Sequence, residues 1–510
     1  MAATAQEIER KYEAGPAVTL PGLSGVQGVA QETDLPSEDL SAEYYDTGDL
    51  RLIRAGVTLR RRRGGHDAGW HLKLPAGADT RQEIQLPLGR AGRRVPAELA
   101  RLVRGYTRGD ALGPVAQIGT IRQRRALLDG RGKSLAEVMT DDVSAQSMGE
   151  STTLSQWREI EVELTGGGVD LLRAIDKRLR QAGLQPAGHS AKLARALAGR
   201  LPEASPPPRL TPASPAAQVV LAYTAAQLAQ LQAMHAQVRR DQPDAVHQMR
   251  VATRRLRSTL KTFRTVLAGA SAGPDAGPDV GALRAELKWL GDVLGAARDD
   301  EVLEAEIQER LASLPAELLL GPVQARITSH FAPRAASDRE SVLEALESAR
   351  YLRLLDALTA LVGMPLDGDE AGAVLPGAVR RAYRKLRRRA GRAAAAPPGP
   401  DRDTALHETR KAAKEVRYAA ECAEAALGTD AARLAGQAKK IQSVLGDQHD
   451  AVVARALTRD IAIRAHLAGE STFSLGIVHE ACDRDATALA AEAEDRWDRM
   501  LAGHGPAWLR

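Results

Sequence analysis

Two hydrophobic periods divide this chain. Up to about residue 200, apolar and polar positions alternate in short runs broken by Gly and Pro, which is the period of β-strands. From about Ala216 the apolar positions recur every three or four residues through Ala-, Leu-, Arg- and Glu-rich sequence, which is the period of helices. Leu201–Pro215, containing PEASPPPRLTPASP, fits neither and is expected to link a domain at 1–200 to a helical domain at 216–505. The strand region ends in a helical stretch, Val169–Gly183, and the segment Ser190–Gly199. Ser271–Pro278 and Pro397–Asp401 are expected as loops between helices of the second region. The prediction is an α+β chain, with antiparallel strands first and an all-α domain after.

Several strands alternate in charge. Successive strand residues point to opposite faces, so Glu7, Glu9 and Lys11 share one face. Glu159, Glu161 and Glu163 do the same, opposite Ile160, Val162 and Leu164. That apolar face must pack, so the glutamates line something polar. Like carboxylates in a row repel, and a solvated strand has no need of them. Between the two glutamate strands lie Arg60 and Arg62, then Lys73 opposite Leu72 and Leu74, then Arg81 with Glu83, and Arg122 with Arg124. Asp142 precedes Val143 in another expected strand. Both signs on one closed surface make sense if divalent cations bridge carboxylates to an anionic substrate. Hard oxygen donors suit Mg²⁺ or Mn²⁺ rather than Zn²⁺, while the bases grip phosphate oxygens.

The helical region carries an internal repeat. His247-x-x-Arg250-x-x-x-Arg254-x-x-Arg257 matches His407-x-x-Arg410-x-x-x-Lys414-x-x-Arg417, and Lys288–Gly295 followed by Arg298-Asp299 matches Lys439–Gly446 followed by His449-Asp450. Duplicated helical halves about a pseudo-twofold axis are expected. In the first copy the stripe continues through Lys261 and Arg264 and runs ~25 Å along one helix face. Val246–Arg264 holds no Asp or Glu, so local i±4 pairing cannot neutralise it. A further basic helix from Val379 includes Arg381, Arg384 and Arg388. Such tracks suit a linear polyanion better than a compact metabolite.

Composition narrows the classes. The chain has 510 residues, a net charge of +5 and 3% aromatic residues. So few aromatics among the arginines argue against nucleic-acid binding by base stacking. Cys422 and Cys482 stand alone, so no disulfide framework or thiolate metal site is expected and a reducing cytoplasm fits. No apolar run is long enough for a membrane span. No Walker A pattern is present, nor a Ser, Cys or His placed as a covalent nucleophile, which favours direct attack by water.

These residues resemble two known families. ExExK at Glu7, Glu9 and Lys11, with YYDTGDLRL, LRRR, WHLKLP, RQE, TIRQR and WREIEVEL, resembles the CYTH family of triphosphate tunnel metalloenzymes over about 1–200. The resemblance implies an eight-stranded antiparallel tunnel that hydrolyses a phosphoanhydride with Mg²⁺ or Mn²⁺. By position it makes Glu7, Glu9, Lys11, Glu161 and Glu163 catalytic. It makes Glu7, Glu9, Asp142, Glu159, Glu161 and Glu163 metal-side residues, and Lys11, Arg60, Arg62, Lys73, Arg81, Arg122 and Arg124 substrate-binding. HQMRVATRRLRSTLKTF, LGAARDDEV, HETRKAAKEVRYAAE and LGDQHD resemble the CHAD family, the conserved-histidine α-helical domain, over about 216–505. That resemblance implies two pseudo-symmetric helical bundles binding inorganic polyphosphate. The candidate contacts are His247, Arg250, Arg254, Arg257, Lys261, Arg298, Arg381, Arg384, Arg388, His407, Arg410, Lys414, Arg417, Lys439 and Lys440.

The expected function is a metal-dependent triphosphatase, inorganic tripolyphosphate foremost, joined to a polyphosphate-binding module and associated in the cytoplasm with polyphosphate granules. The alternatives are a silent tunnel on a polyphosphate-binding protein, a thiamine or nucleoside triphosphatase, and ATP cyclisation as in some CYTH relatives. The choice of triphosphate, the metal, the general base and the oligomeric state stay open.

Overall fold

The computed structural model describes residues 3–509 apart from 16–17, 78, 90–91, 150–151, 190, 203–208, 271–276, 365–366 and 502–505. Part of the expected linker and most of the expected loop at 271–278 lie outside the described residues. The chain forms two compact units, residues 1–206 and 207–510.

Eight antiparallel strands of the first unit close into a barrel. They are β1 (Ala3–Ala14), β2 (Gln31–Asp46), β3 (Thr58–Arg63), β4 (Gly69–Pro75), β5 (Thr80–Leu86), β6 (Gly113–Leu128), β7 (Ser134–Ser147) and β8 (Leu154–Leu164). Their order is β5-β4-β3-β2-β6-β7-β8-β1, and a two-residue β9 (Gln185–Pro186) adds to β1. Closure is made by β1 itself. Its first half pairs with β5 as far as Ile8 opposite Thr80, and its second half pairs with β8 from Glu9 opposite Glu163. No strand among the eight is left with an unpaired edge to template aggregation.

The alternation places apolar and charged residues as the sequence period requires. On the outer face, Tyr12, Leu127, Val138, Ile160 and Val162 pack beneath Leu171, Leu172, Ile175 and Leu179 of the Val169–Gln181 helix. The interior is divided lengthwise. One end is apolar, with Ala42, Tyr44, Ala116, Ile118, Val143, Ala145 and Trp157 packed against Leu193 and Leu197. The short Lys192–Ala196 helix thus plugs that end, and burial of each leucine contributes about 1.5–3 kcal/mol. The remainder of the interior is charged.

The second unit is all helical. Each repeat opens on a basic helix, Ala245–Thr262 or Pro400–Leu427, followed by a longer one, Val280–Ala312 or Thr429–Leu467. One continuous core of Leu, Ala, Val and Met side chains joins both repeats. A separate apolar cluster, including Ile307, Phe331, Ile461 and Cys482, holds the far ends of the long helices. Both cysteines are buried and free. No helix of the described residues is long and apolar enough to cross a membrane.

Candidate active site and polyanion surface

A cavity of about 550 Å³ runs through the charged part of the barrel. It is lined by Glu7, Glu9 and Lys11 of β1, Arg60 and Arg62 of β3, Lys73 of β4, Arg81 and Glu83 of β5, Arg122 and Arg124 of β6, and Glu161 and Glu163 of β8. Every one of these was legible as a strand-face residue, and the period of two brings them together.

Charges inside are mostly arranged as pairs. Glu161 is the busiest carboxylate. It accepts from Lys11 Nζ, from Arg122 Nη2 at 2.7 Å and from Lys192 Nζ at 2.8 Å. Burial pushes its pKa up, but Lys11, Lys192 and Arg122 outweigh this and hold it well below the usual carboxylate range. Lys73 pairs with Glu7, and Lys11 with Glu9 at 3.1 Å. Arg62 pairs with Asp67 and is buried, and its pKa falls to about 9 through burial and the neighbouring Arg60 and Arg122. Arg60 reaches Glu83 only at 3.9 Å, leaving its guanidinium available to an incoming oxyanion.

Glu163 differs from these. It stands directly opposite Glu9 across the β1–β8 ladder, and no cation lies within ion-pair distance of it among the described residues. Burial raises its pKa, Glu9 and Glu161 add to the rise, and Lys73 only partly offsets it. Like carboxylates facing each other across strands are unfavourable. A half-buried, unpaired carboxylate opposite a second one offers oxygen donors of the kind a hard divalent cation takes. Glu7 lies on the same face of β1, two residues before Glu9. Burial, with Glu83 adding, raises its pKa to about 7 despite Lys73.

His71 and Glu83 form a buried pair behind Lys73. His71 Nδ1 stands 2.9 Å from Glu83 Oε1, and its Nε2 stands 2.8 Å from the carbonyl of Asp67. The carbonyl can only accept, so Nε2 carries a proton and fixes the ring.

The structure corrects one expected metal-side residue. Asp142 faces outward and pairs with Arg158 at 2.7 Å on the barrel surface. Its neighbour Asp141 faces inward, fully buried, and accepts from Arg122 at 2.8 and 2.6 Å. A one-residue error of register reverses a strand's faces.

Lys192 was not foreseen. Its Nζ lies 2.8 Å from Asp141, 2.7 Å from Glu159 and 2.8 Å from Glu161. Those three carboxylates lie close enough together to hold a metal ion. The ammonium, with one proton for each, fills that place instead. Glu159 also accepts from the Trp157 indole at 2.7 Å and does not line the cavity. Glu159 is therefore part of a lysine cage at the plugged end, apart from the Glu7, Glu9 and Glu163 group. Lys192 sits on a short helix beyond the last long strand, where strand alternation gives no signal. Glu38 and Glu137, which hold Arg124 at 3.0 and 2.5 Å, were also missed, the first for a related reason. A register shift between Leu35 and Glu38 interrupts the alternation of β2.

In the helical unit the basic stripe is sorted by tertiary contacts. Glu415 of the Pro400–Leu427 helix takes Lys261 at 2.9 Å, and Glu421 takes Arg417 at 2.6 Å, together with Arg255. Arg250 pairs with Asp299 at 2.7 Å. For Arg250, Arg255 and Lys261 the neutralising acids absent from the local sequence thus arrive from neighbouring helices, while Arg417 is paired within its own helix. Arg254 donates to the Tyr418 hydroxyl at 3.1 Å, and Lys414 has no carboxylate within ion-pair distance among the described residues. Arg298 reaches Glu301 at 2.9 Å. Arg257, Arg381, Arg384, Arg388, Lys439 and Lys440 are solvent-exposed, and His247 and His407 are half-buried at the head of their stripes.

Comparison with known proteins agrees with this division. The CYTH domain matches residues 5–192 and the CHAD domain residues 222–459. Rv2226 of Mycobacterium tuberculosis H37Rv is 40% identical over 490 residues, covering 93% of this chain and 92% of its own. MT2285 of strain CDC 1551 is likewise 40% identical over 490 residues, with the same coverage. Among solved structures, PptA from Streptomyces chartreusis aligns with 56% of this chain and 100% of its own at 21% identity, with a TM-score of 0.44. HpAC1 from Hippeastrum, described as a candidate adenylyl cyclase with a dominant triphosphatase activity, aligns with 40% of this chain and 98% of its own at 14% identity, with a TM-score of 0.23. The closed barrel, its charged interior and the duplicated basic helices are those of a CYTH domain joined to a CHAD domain, and the chain belongs to the proteins that combine the two.

Proposed function

We propose that the first unit hydrolyses inorganic tripolyphosphate and that the second binds inorganic polyphosphate. One observation carries the choice of substrate. The cavity lining is mostly charged and polar, its larger apolar side chains being Leu40, Ile118 and Met139, and its one tyrosine, Tyr44, is buried and takes a hydrogen bond from Arg60 at 3.4 Å. A base or a thiazolium ring finds few apolar side chains and no exposed aromatic face there, whereas a chain of phosphates finds bases on several strands.

Glu7, Glu9 and Glu163 would hold Mg²⁺ or Mn²⁺, with Glu161 adjacent. When bound, the ion neutralises the phosphate oxygens and makes a coordinated water more acidic. Arg60, Arg81 and Lys73 draw the phosphoryl oxygens into place, and offset the charge that builds on them as the anhydride bond breaks. Lys192 and Arg122 fix Glu161, which in turn holds Lys11 against the substrate. Arg81, Lys11 and Arg122 approach from three different strands, so the phosphate chain is held along the barrel axis.

The test is release of orthophosphate from tripolyphosphate, thiamine triphosphate and ATP, each with Mg²⁺ or Mn²⁺, alongside assay for cyclic nucleotide and pyrophosphate. Turnover of tripolyphosphate well above the others is expected. Preference for ATP with a cyclic product would overturn the reading. The polymer half is tested by direct binding of long-chain polyphosphate to the full chain, which Arg384→Glu with Arg388→Glu should weaken.

A further inference from the structure

The two repeats of the helical unit share one frame but differ in chemistry. Gly295 and Gly446 each leave room for an arginine. A side-chain carbon on them would stand 3.5 Å from Arg250 Nη2 and 3.3 Å from Arg410 Nη2. Each arginine faces an aspartate of its repeat's long helix, Arg250 to Asp299 at 2.7 Å and Arg410 to Asp450 at 3.8 Å. Around this frame the first repeat carries Arg254 and Arg298. The second carries Lys414 and His449 at the corresponding positions. His449 lies against His407, with ring centroids 4.2 Å apart and planes tilted by 35°. Beside the equivalent histidines His247 and His407, the first repeat thus carries guanidiniums that stay protonated where the second carries Lys414 and His449, which can lose a proton.

We propose that the second repeat takes up its phosphate ligand together with protons, so that Lys414, His407 and His449 become charged as the polyanion arrives. This rests on the polyphosphate-binding reading above. The surroundings explain why. Arg410 and Lys411 face the group from its own helix, and Arg250 and Arg254 from the first repeat's basic helix. Asp450, Asp299 and Glu408 are the facing acids; each aspartate is engaged by an arginine, and Glu408 by Lys411 at 2.8 Å. Net positive charge therefore surrounds two imidazoles and an amine, and the Nδ1 of His407 is buried without a hydrogen-bond partner. Without an anion, adding protons there is unfavourable. Burial, then Arg410, Arg254 and Arg250, lowers the Lys414 pKa to about 6. Burial, then the neighbouring cations, lowers His407 and His449 to about 4. A bound phosphate reverses the sign of the local field and raises all three. Binding should then strengthen as pH falls toward 6, by up to about tenfold per pH unit for each proton taken up.

The experiment is calorimetric titration of the full chain with long-chain inorganic polyphosphate at pH 7 and 8, in buffers of different ionisation enthalpy. The enthalpy should vary with buffer in the sense of proton uptake. Lys414→Arg with His449→Arg, which gives the second repeat the chemistry of the first, should keep binding and lose most of that uptake; any protons taken by the polymer itself persist in both proteins. Lys414→Arg alone provides the same comparison with a smaller change should the double variant fold poorly. Polymer binding with equal proton uptake in wild type and variants would overturn this inference and leave the binding reading intact. No binding at all would overturn both.

Discussion

Glu161 in the tunnel is a buried ionisable group and Lys414 in the helical unit a half-buried one, and their neighbours are opposite. Glu161 is surrounded by Lys11, Lys192 and Arg122, while Lys414 is surrounded by Arg410, Arg254 and Arg250. The barrel balances charge internally, sign against sign, across strands. The helices leave cations among cations and answer with neutral amine and imidazole. A balanced interior suits a site that must be rigid and exclude water before substrate arrives. An unbalanced one stores attraction for a polyanion that has yet to bind.

The balance in the barrel is broken most severely at Lys192. Lys192→Met removes the ammonium shared by Asp141, Glu159 and Glu161, and leaves buried carboxylates uncompensated. A loss of about 3–5 kcal/mol in the first unit is expected. Calorimetry should show its transition moving down while that of the helical unit stays in place. Equal transitions in wild type and variant would mean that the lysine cage does not hold the barrel end.

Glu163→Gln acts in the reverse sense. Its carboxylate has a raised pKa, so its ionised form is unfavourable in the fold and the amide should stabilise the first unit. Turnover should nevertheless fall by about 10²–10³-fold, equivalent to about 3–4 kcal/mol of barrier. Opposite signs for stability and activity mark a residue kept for chemistry. A variant that turns over normally would remove Glu163 from the metal-holding set.

The helical unit should respond to pH through Lys414. With Lys414 near 6 when folded and about 10.4 when unfolded, only the unfolded chain holds that proton between those values. Raising the pH across that window therefore stabilises the folded unit. Lys414→Met should flatten the rise and stabilise the unit at pH 7. The depressed pKa of Glu161 works elsewhere, its stabilisation being lost only in acid as pH falls below about 4.

These contrasts also show what a sequence can and cannot disclose. Strand alternation is a local rule, so Glu7, Glu9, Arg60, Arg122 and Glu163 were legible as one lining before any coordinates. The repeat equating His247 with His407 was legible by the same kind of local reading. Lys192 enters the barrel from a plug helix, and the Glu415 and Asp299 partners of the first basic stripe come from other helices. Such contacts depend on tertiary packing, which no short-range period encodes. The bulge in β2 hid Glu38 because it breaks the period itself.

The smallest effect tests the finest of these distinctions, the choice between two adjacent aspartates. Asp142 is partly exposed and joined to Arg158 on the barrel surface, an interaction worth about 0–1 kcal/mol after screening. Asp142→Asn should change neither turnover nor the transition of the first unit by a measurable amount. Asp141 is buried and holds both Arg122 and Lys192, so Asp141→Asn should lower the transition and, through the displaced Arg122, impair turnover. Had the strand been registered one residue the other way, the outcomes would exchange. The pair of variants therefore reads the direction of β7 side chains in solution, independent of which metal or triphosphate is supplied.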